Sequence, residues 1–380
     1  MADELRALTR LTFDELGLAT GGIGQIHQAI ADRAFGAAGS GTPRAIHDAI
    51  AGAVYGGLRA GASLAGRGVA PLVSGTVSDS PRGAAVLAVL NGLRGDTLER
   101  EGSNLASAME FRVDGRPVAP ADLTVSPRIV VFVHGLFETE FAWGRESYGA
   151  RLARDLDVTP LYVRFNTGRH ISENGRSLAA LLDELVECHE ISQIALVGHS
   201  MGGLVARSAC HAGGEWTPAV RHTVTLGTPH TGAPLESAVH YASAALGVAP
   251  ETRPFSGFLR RRSAGIRDLR SGSLVDEDWQ GRDPEALRAA ACAEVPLLKG
   301  AAHHFVAATI TQDAAHPVGR LVGDWLVLQP SASGRSRACV IGFRAEDGVH
   351  LGGMHHLALL NHPRVYEHLR EWLSRAPRAG

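Results

Sequence analysis

The chain has 380 residues, of which 45% are hydrophobic and 20% charged, and its formal net charge is −2. That length holds one large domain or two ordinary ones, and the near-neutral balance gives no electrostatic footprint for nucleic acid. Lys299 is the sole lysine among 37 basic residues, which in an Ala- and Gly-rich chain reads as coding bias and not as a binding device.

The four cysteines, Cys188, Cys210, Cys292 and Cys339, are scattered and form no C-x-x-C. Cys210 and Cys339 adjoin apolar runs and read as small buried hydrophobes, not as disulfide partners. The first residues, Met1-Ala-Asp-Glu-Leu-Arg6, are acidic and lack the apolar core of a signal peptide. No apolar run approaches the ~20 residues that span a bilayer, so a cytoplasmic protein without a transmembrane segment is expected.

Residues 1 to about 105 read as a helical, Ala- and Gly-rich region distinct from residues 106–380. It carries a weak internal echo, Ile26-His-Gln-Ala-Ile-Ala31 and Ile46-His-Asp-Ala-Ile-Ala51, each followed by an aromatic and a glycine. Small residues at such a contact favour a packed helical hairpin, and Thr42-Pro43 suits a helix start. The alternative is an amphipathic surface touching lipid or substrate, so peripheral membrane contact stays open. Residues 70–82 read as a loop and Gly83–Leu93 as a helix. Met109–Val118 alternates about Asp114-Gly115, which predicts a small β-hairpin.

From Ile129 short apolar runs alternate with helical segments, the signature of a parallel sheet flanked by helices, and hence of the α/β class. Strands are expected at Ile129–Val133, Pro160–Phe165, Ile194–Val197, Thr223–Leu226, Phe305–Ile310 and Ala338–Phe343. Helices are expected at Ser172–Cys188 with Ser172 as N-cap, after Ser200, and at Pro363–Trp372. Residues 235–300 are too long for a connection and contain Phe255, Phe258, Leu259, Arg260-Arg261-Arg262 and Trp279. They read as a cap or lid insertion, with a rigid subdomain as the alternative.

The chemistry concentrates at Gly198-His199-Ser200-Met201-Gly202, set between a buried strand and a helix start. A strand that turns straight into a helix leaves the central serine strained and its hydroxyl clear of the sheet. Flanking backbones approach too closely for side chains, so glycines stand there. Ser200 is therefore the expected nucleophile. Its oxyanion donors should be the backbone N–H groups of Met201 and of Leu136 in Val133-His134-Gly135-Leu136, where Gly135 allows a sharp turn.

The base is expected after the last strand, in Gly352-Gly-Met-His-His-Leu-Ala-Leu-Leu-Asn-His362. His356 is preferred because it directly precedes the apolar run, with His355 as rival and His350 and His362 behind. The acid should precede it, and Asp324 fits, with Asp313 as the alternative; Glu346 and Asp347 fall after the expected last strand. Adjacent pairs such as His303-His304 lack zinc spacing, so no metal and no other cofactor is expected.

Val133-His-Gly-Leu136, Gly198-His-Ser-Met-Gly202, Leu226-Gly-Thr-Pro-His-Thr-Gly232, Gly323-Asp324 and His356-Leu-Ala-Leu-Leu360 together resemble the bacterial esterase/lipase branch of the α/β-hydrolase superfamily. The resemblance runs from about residue 125 to the C-terminus and extends to triacylglycerol lipases and lipase-like GPI-inositol deacylases. It implies the α/β-hydrolase fold with a Ser200–Asp324–His356 triad acting on a small-molecule or lipid-like ester. An acyltransferase or amidase on the same fold, and a non-catalytic binding module, are the other readings. The commoner acid motif is Asp-Gly where this chain has Gly323-Asp324, and the first ~105 residues lie outside the resemblance.

Overall fold

Among the described residues eight strands form one sheet: β1 (Glu110–Val113), β2 (Arg116–Val118), β3 (Arg128–Val133), β4 (Thr159–Arg164), β5 (Gln193–His199), β6 (Val220–Leu226), β7 (Ala302–Thr309) and β8 (Gly348–Gly352). Their order is β2-β1-β4-β3-β5-β6-β7-β8. β1 runs antiparallel to β2 and β4, and every pairing from β4 to β8 is parallel. The computed structural model describes Glu4 and residues 78–144, 146–233, 262–284, 286, 292–335 and 340–375.

Parallel strands covered on both faces must be apolar at every position, which is why β3 and β5 read as unbroken hydrophobic runs. Along β3, Ile129, Val131 and Val133 enter one core cluster while Val130 and Phe132 enter the other. β5 divides in the same way, Ile194 and Leu196 against Ala195 and Val197. Burying each such side chain contributes about 1.5–3 kcal/mol.

Among the described residues the helices are α1 (Pro81–Arg100), α2 (Tyr148–Leu156), α3 (Ile171–Cys188), α4 (Met201–Ala212), the short α5 (Ala264–Asp268), α6 (Pro317–Val322) and α7 (Gln329–Ala332), and α8 (Pro363–Ser374). Leu178, Leu182 and Leu185 of α3 and Leu204 and Val205 of α4 cover the first face of the sheet. Tyr148 and Leu152 of α2 and Val365, Leu369 and Trp372 of α8 cover the second. α2 starts where Ser147 Oγ accepts the Ala150 N–H at 3.1 Å, and α8 starts with Pro363 in its first turn.

The chain divides into two compact units, residues 1–78, 98–105 and 238–262 in one and residues 79–97, 106–237 and 263–380 in the other. Residues 79–97 group with the sheet. Polar contacts place them there: Asn166 Nδ2 donates to the Gly95 carbonyl at 2.9 Å, and Asn91 Oδ1 accepts the Ser107 N–H at 2.8 Å. The repeated Ile26 and Ile46 segments, Phe255, Phe258, Leu259, Arg260, Arg261 and Cys339 lie outside the described residues.

Three expectations are corrected. Among the described residues the last strand is Gly348–Gly352, and the described part of the expected Ala338–Phe343 strand, residues 340–343, stands outside the sheet. Ile341 and Phe343 are buried against Phe305, Ala307 and Val327 without joining the ladder, whereas the edge strand β8 buries only Leu351 and has no apolar run to announce it. Glu346 and Asp347 accordingly precede the last strand. α3 begins one residue earlier than expected, with His170 at its N-cap position; Glu173 accepts the His170 N–H at 3.2 Å, and Ser172 Oγ instead donates to Asp276 at 2.6 Å.

The described part of the 235–300 insertion is anchored on α3. Asp268 accepts the Ile171 N–H at 2.8 Å and lies 3.1 Å from His170 Nδ1. The Trp279 ring stacks on His170 at 3.7 Å, and Leu274 and Val275 enter the core.

After β3 the chain forms a 3₁₀ turn, Glu140–Trp143, held by a buried pair with Arg164 at the end of β4. Glu140 Oε2 accepts from Arg164 Nε at 2.7 Å, and Oε1 accepts from Nη2 in the same fork. Removing one partner of a buried pair removes its charge compensation but keeps the desolvation cost of the other. Glu140→Ala is expected to destabilise the fold by about 3 kcal/mol, read by urea unfolding. A change below about 1 kcal/mol, the range of exposed pairs, would show that the pair does not brace this turn.

Candidate active site

The site lies at the carboxyl end of the parallel strands. Ser200 follows β5 directly and has φ 51° and ψ −121°, a left-handed backbone rare for a residue with a side chain. Such a conformation costs on the order of 1–3 kcal/mol and persists only where surrounding structure imposes it. The Ser200 N–H donates to the Leu226 carbonyl at 2.9 Å, tying the turn to the end of β6.

Two glycines make the turn possible. A Cβ on Gly198 would lie 2.5 Å from the Gly203 backbone, and one on Gly202 would lie 2.2 Å from the Val133 carbonyl oxygen. The Gly135 backbone also abuts the serine, since a Cβ there would sit 3.0 Å from Ser200 Cβ. The loop carrying Leu136 therefore runs beside Ser200, and Met201, fully buried, begins α4 directly after it.

A strand, this strained serine turn and a helix, at the centre of a mostly parallel sheet ordered β4-β3-β5-β6-β7-β8, decide the architecture. The fold is that of the α/β-hydrolases. Residues 163–250 match the model of the family described as PGAP1-like alpha/beta domain. A search of curated proteins finds no match.

Among solved structures the chain is similar to the lipase BlEst2 of Bacillus licheniformis in its mature form, at 20% identity over 61% of this chain and 86% of that one, with a TM-score of 0.40. It is also similar to a thermophilic esterase from Thermogutta terrifontis, at 13% identity over 70% and 92% of the two chains, with a TM-score of 0.39. A third is an esterase from Pyrococcus furiosus, at 13% identity over 66% and 83%, with a TM-score of 0.39.

In this hydrolase fold Asp324 and His356 form a buried pair. Asp324 is 1% exposed and His356 3% exposed, and His356 Nδ1 lies 2.7 Å from Asp324 Oδ2. Asp324 Oδ1 accepts the N–H groups of Leu326 and Val327 at 3.0 and 2.8 Å, while its carbonyl accepts the His356 N–H at 2.9 Å. With Nδ1 bonded to the carboxylate, His356 keeps Nε2 buried and without a partner among the described residues. Gly227, next to the carbonyl that binds the Ser200 N–H, packs on the same ring; a Cβ there would sit 3.1 Å from His356 Cε1.

Asp313 and His355 are exposed. Asp313 Oδ1 accepts the Ala315 N–H at 2.8 Å within its own turn. His350 Nε2 is 2.8 Å from Thr309 Oγ1, and His362 caps α8 through the Arg364 N–H. The loop after His356 is pinned by Tyr148, whose hydroxyl donates to the Leu359 carbonyl at 2.8 Å and accepts the His362 N–H at 2.6 Å. Burial raises the Tyr148 phenol, keeping it a neutral donor and acceptor.

His134 stacks on Phe165 at 4.4 Å, and its Nδ1–H donates to the Gly135 carbonyl at 2.9 Å. Burial holds this ring below its usual pKa, so it is neutral. His230, in the Leu226–Gly232 block, is likewise pushed well down, by burial first and by Arg207 second. Its Nδ1 then accepts from Arg207 at 3.3 Å and Nε2–H donates to Thr225 Oγ1 at 3.2 Å, bracing the chain after β6.

Sequence reasoning missed Glu138. This carboxylate accepts the Gly135 N–H at 2.7 Å and sits 3.0 Å from Nδ1 of His199, the residue before the serine. Its signal was an acidic residue three positions past Gly135, beside an apolar strand end. The spacing alone does not say which histidine it meets, because β3 and β5 become neighbours only in the sheet.

Proposed function

We propose that this chain is a serine hydrolase of carboxylic esters, with acyl or lipid-like esters as substrates. The observation that carries the reading is the buried Asp324–His356 pair, its Nε2 without a partner among the described residues, beside a serine on a strained turn at the sheet's carboxyl end. Similarity to lipases and esterases agrees with it.

In this reading Ser200 Oγ attacks the ester carbonyl carbon as His356 Nε2 takes its proton. Asp324 holds the ring in the Nδ1–H tautomer and stabilises the imidazolium. The carbonyl oxygen becomes an oxyanion facing the Leu136 and Met201 N–H groups, with the α4 N-terminus favouring its charge. Collapse breaks the ester C–O bond, and the alcohol leaves with the proton from His356. Water then repeats the sequence, His356 again taking a proton, and releases the acid and free Ser200.

The test is covalent labelling with a fluorophosphonate, followed by peptide mapping, alongside hydrolysis of p-nitrophenyl esters from acetate to palmitate. Label on Ser200 together with ester turnover is expected, and the preferred acyl length defines the substrate class. No label on Ser200 and no turnover across the series would remove the ester-hydrolase reading in favour of a non-catalytic binding module.

A further inference from the structure

His199 is completely buried, yet both its ring nitrogens meet hydrogen-bonding oxygens. Nδ1 lies 3.0 Å from both carboxylate oxygens of Glu138. Nε2 lies 3.3 Å from the backbone carbonyl of His356. A carbonyl only accepts, and so does an ionised carboxylate, whereas neutral imidazole carries one N–H. Satisfying both partners therefore takes an imidazolium.

The charged groups around it suit that state. Glu138 comes from the loop after β3, Asp324 and His356 from the loops beyond β7 and β8, and neutral His134 sits on the Glu138 side. The Trp143 ring closes the site edge-on at 6.4 Å. Burial is the largest single influence and works against both charges, but the partner's charge and hydrogen bond, with the Gly135 N–H and His134 around Glu138 and the His356 carbonyl and Asp324 around His199, together outweigh it: the Glu138 carboxyl is held below its usual value and the His199 ring above. A neutral pair overall also lets the His356 ring, 4.7 Å away, gain a proton without facing a net positive neighbour.

Followed through its hydrogen bonds, the pair spans the site. The Gly135 N–H is held by Glu138, Glu138 by His199, and His199 by the His356 carbonyl. The first end is the backbone one residue before Leu136, and the other is the backbone of the residue that carries Nε2. We infer that Glu138 and His199 form a charged positioning pair that holds the Gly135–Leu136 loop and the His356 loop at fixed separation across Ser200. The inference rests on the ester-hydrolase reading. Their hydrogen bonds run to each other and to backbone groups, so their effect is on alignment, where an error of about 1 Å costs on the order of 10²-fold in rate.

Glu138→Gln keeps the size and one acceptor but removes the charge. It is expected to lower kcat for a p-nitrophenyl ester by about 10- to 100-fold with KM changed less than about twofold, because alignment acts on the transition state. Glu138→Asp should recover part of the loss. The double variant Glu138→Gln/His199→Gln should fall no further than the worse single variant, since both break one link. Nitrogen-15 spectra of the wild-type histidine rings at pH 7 should show His199 protonated on both nitrogens, a readout that needs no variant to fold. A His199 ring with one N–H, a Glu138→Gln kcat within about twofold of wild type, or additive losses in the double variant would each overturn the positioning pair. Absence of both fluorophosphonate labelling and turnover in the wild type would instead overturn the ester-hydrolase reading, and the ring spectra would still decide the charge on His199.

Discussion

Ser200→Ala is expected to lower kcat for ester hydrolysis by on the order of 10⁵-fold or more. In the proposed mechanism the substitution deletes the attacking oxygen. Alanine and serine are equally strained at φ 51°, so the turn and the packing of Gly198 and Gly202 should survive with little change in melting temperature. Residual catalysis, on the order of 10³-fold over water, would come from the oxyanion donors and binding alone. Burst kinetics of wild type and variant would check this. A Ser200→Ala enzyme within about tenfold of wild type would mean that another group carries the chemistry.

Asp324→Asn should cost on the order of 10⁴-fold in kcat, for a reason visible in the hydrogen bonds. Asp324 Oδ1 is committed to two backbone N–H groups, those of Leu326 and Val327. An asparagine keeps its carbonyl oxygen on those donors and turns its NH₂ toward His356 Nδ1. That nitrogen must then accept, the ring takes the Nε2–H tautomer, and the base has no lone pair for the serine proton. The size of the side chain is unchanged, so labelling by a fluorophosphonate should slow in parallel with kcat while the unfolding midpoint moves little. Asp313→Asn, in an exposed turn, is the matched control and should change neither by more than about twofold. A loss below about tenfold at Asp324, or a larger one at Asp313, would reverse the assignment of the acid.

Local patterns carried the central strands and the strained turn, because both are written in neighbouring residues. Unbroken apolar runs reflect burial on both faces, and that requirement acts at each position of β3 and β5 separately. Gly198 and Gly202 are needed wherever a strand turns directly into a helix, so G-x-S-x-G announces the turn without any knowledge of its neighbours. The final strand was illegible for the opposite reason: β8 sits at the sheet edge with one buried side chain, and the more apolar Ile341 and Phe343 are spent plugging a loop.

Chain order and chemistry together nominated Ser200, Asp324 and His356, but left Asp313 and His355 open, since proximity along the chain says nothing about burial. The tertiary structure encloses Asp324 and His356 at 2.7 Å and leaves the other two exposed, the difference on which the proposed roles rest. It also brought Glu138 to His199 across 61 residues of chain, a contact created only by the parallel pairing of β3 with β5. The kinds of residue a site needs are local properties of the chain. Which of them meet depends on strand register and loop closure, and those are set by the packing of the whole sheet.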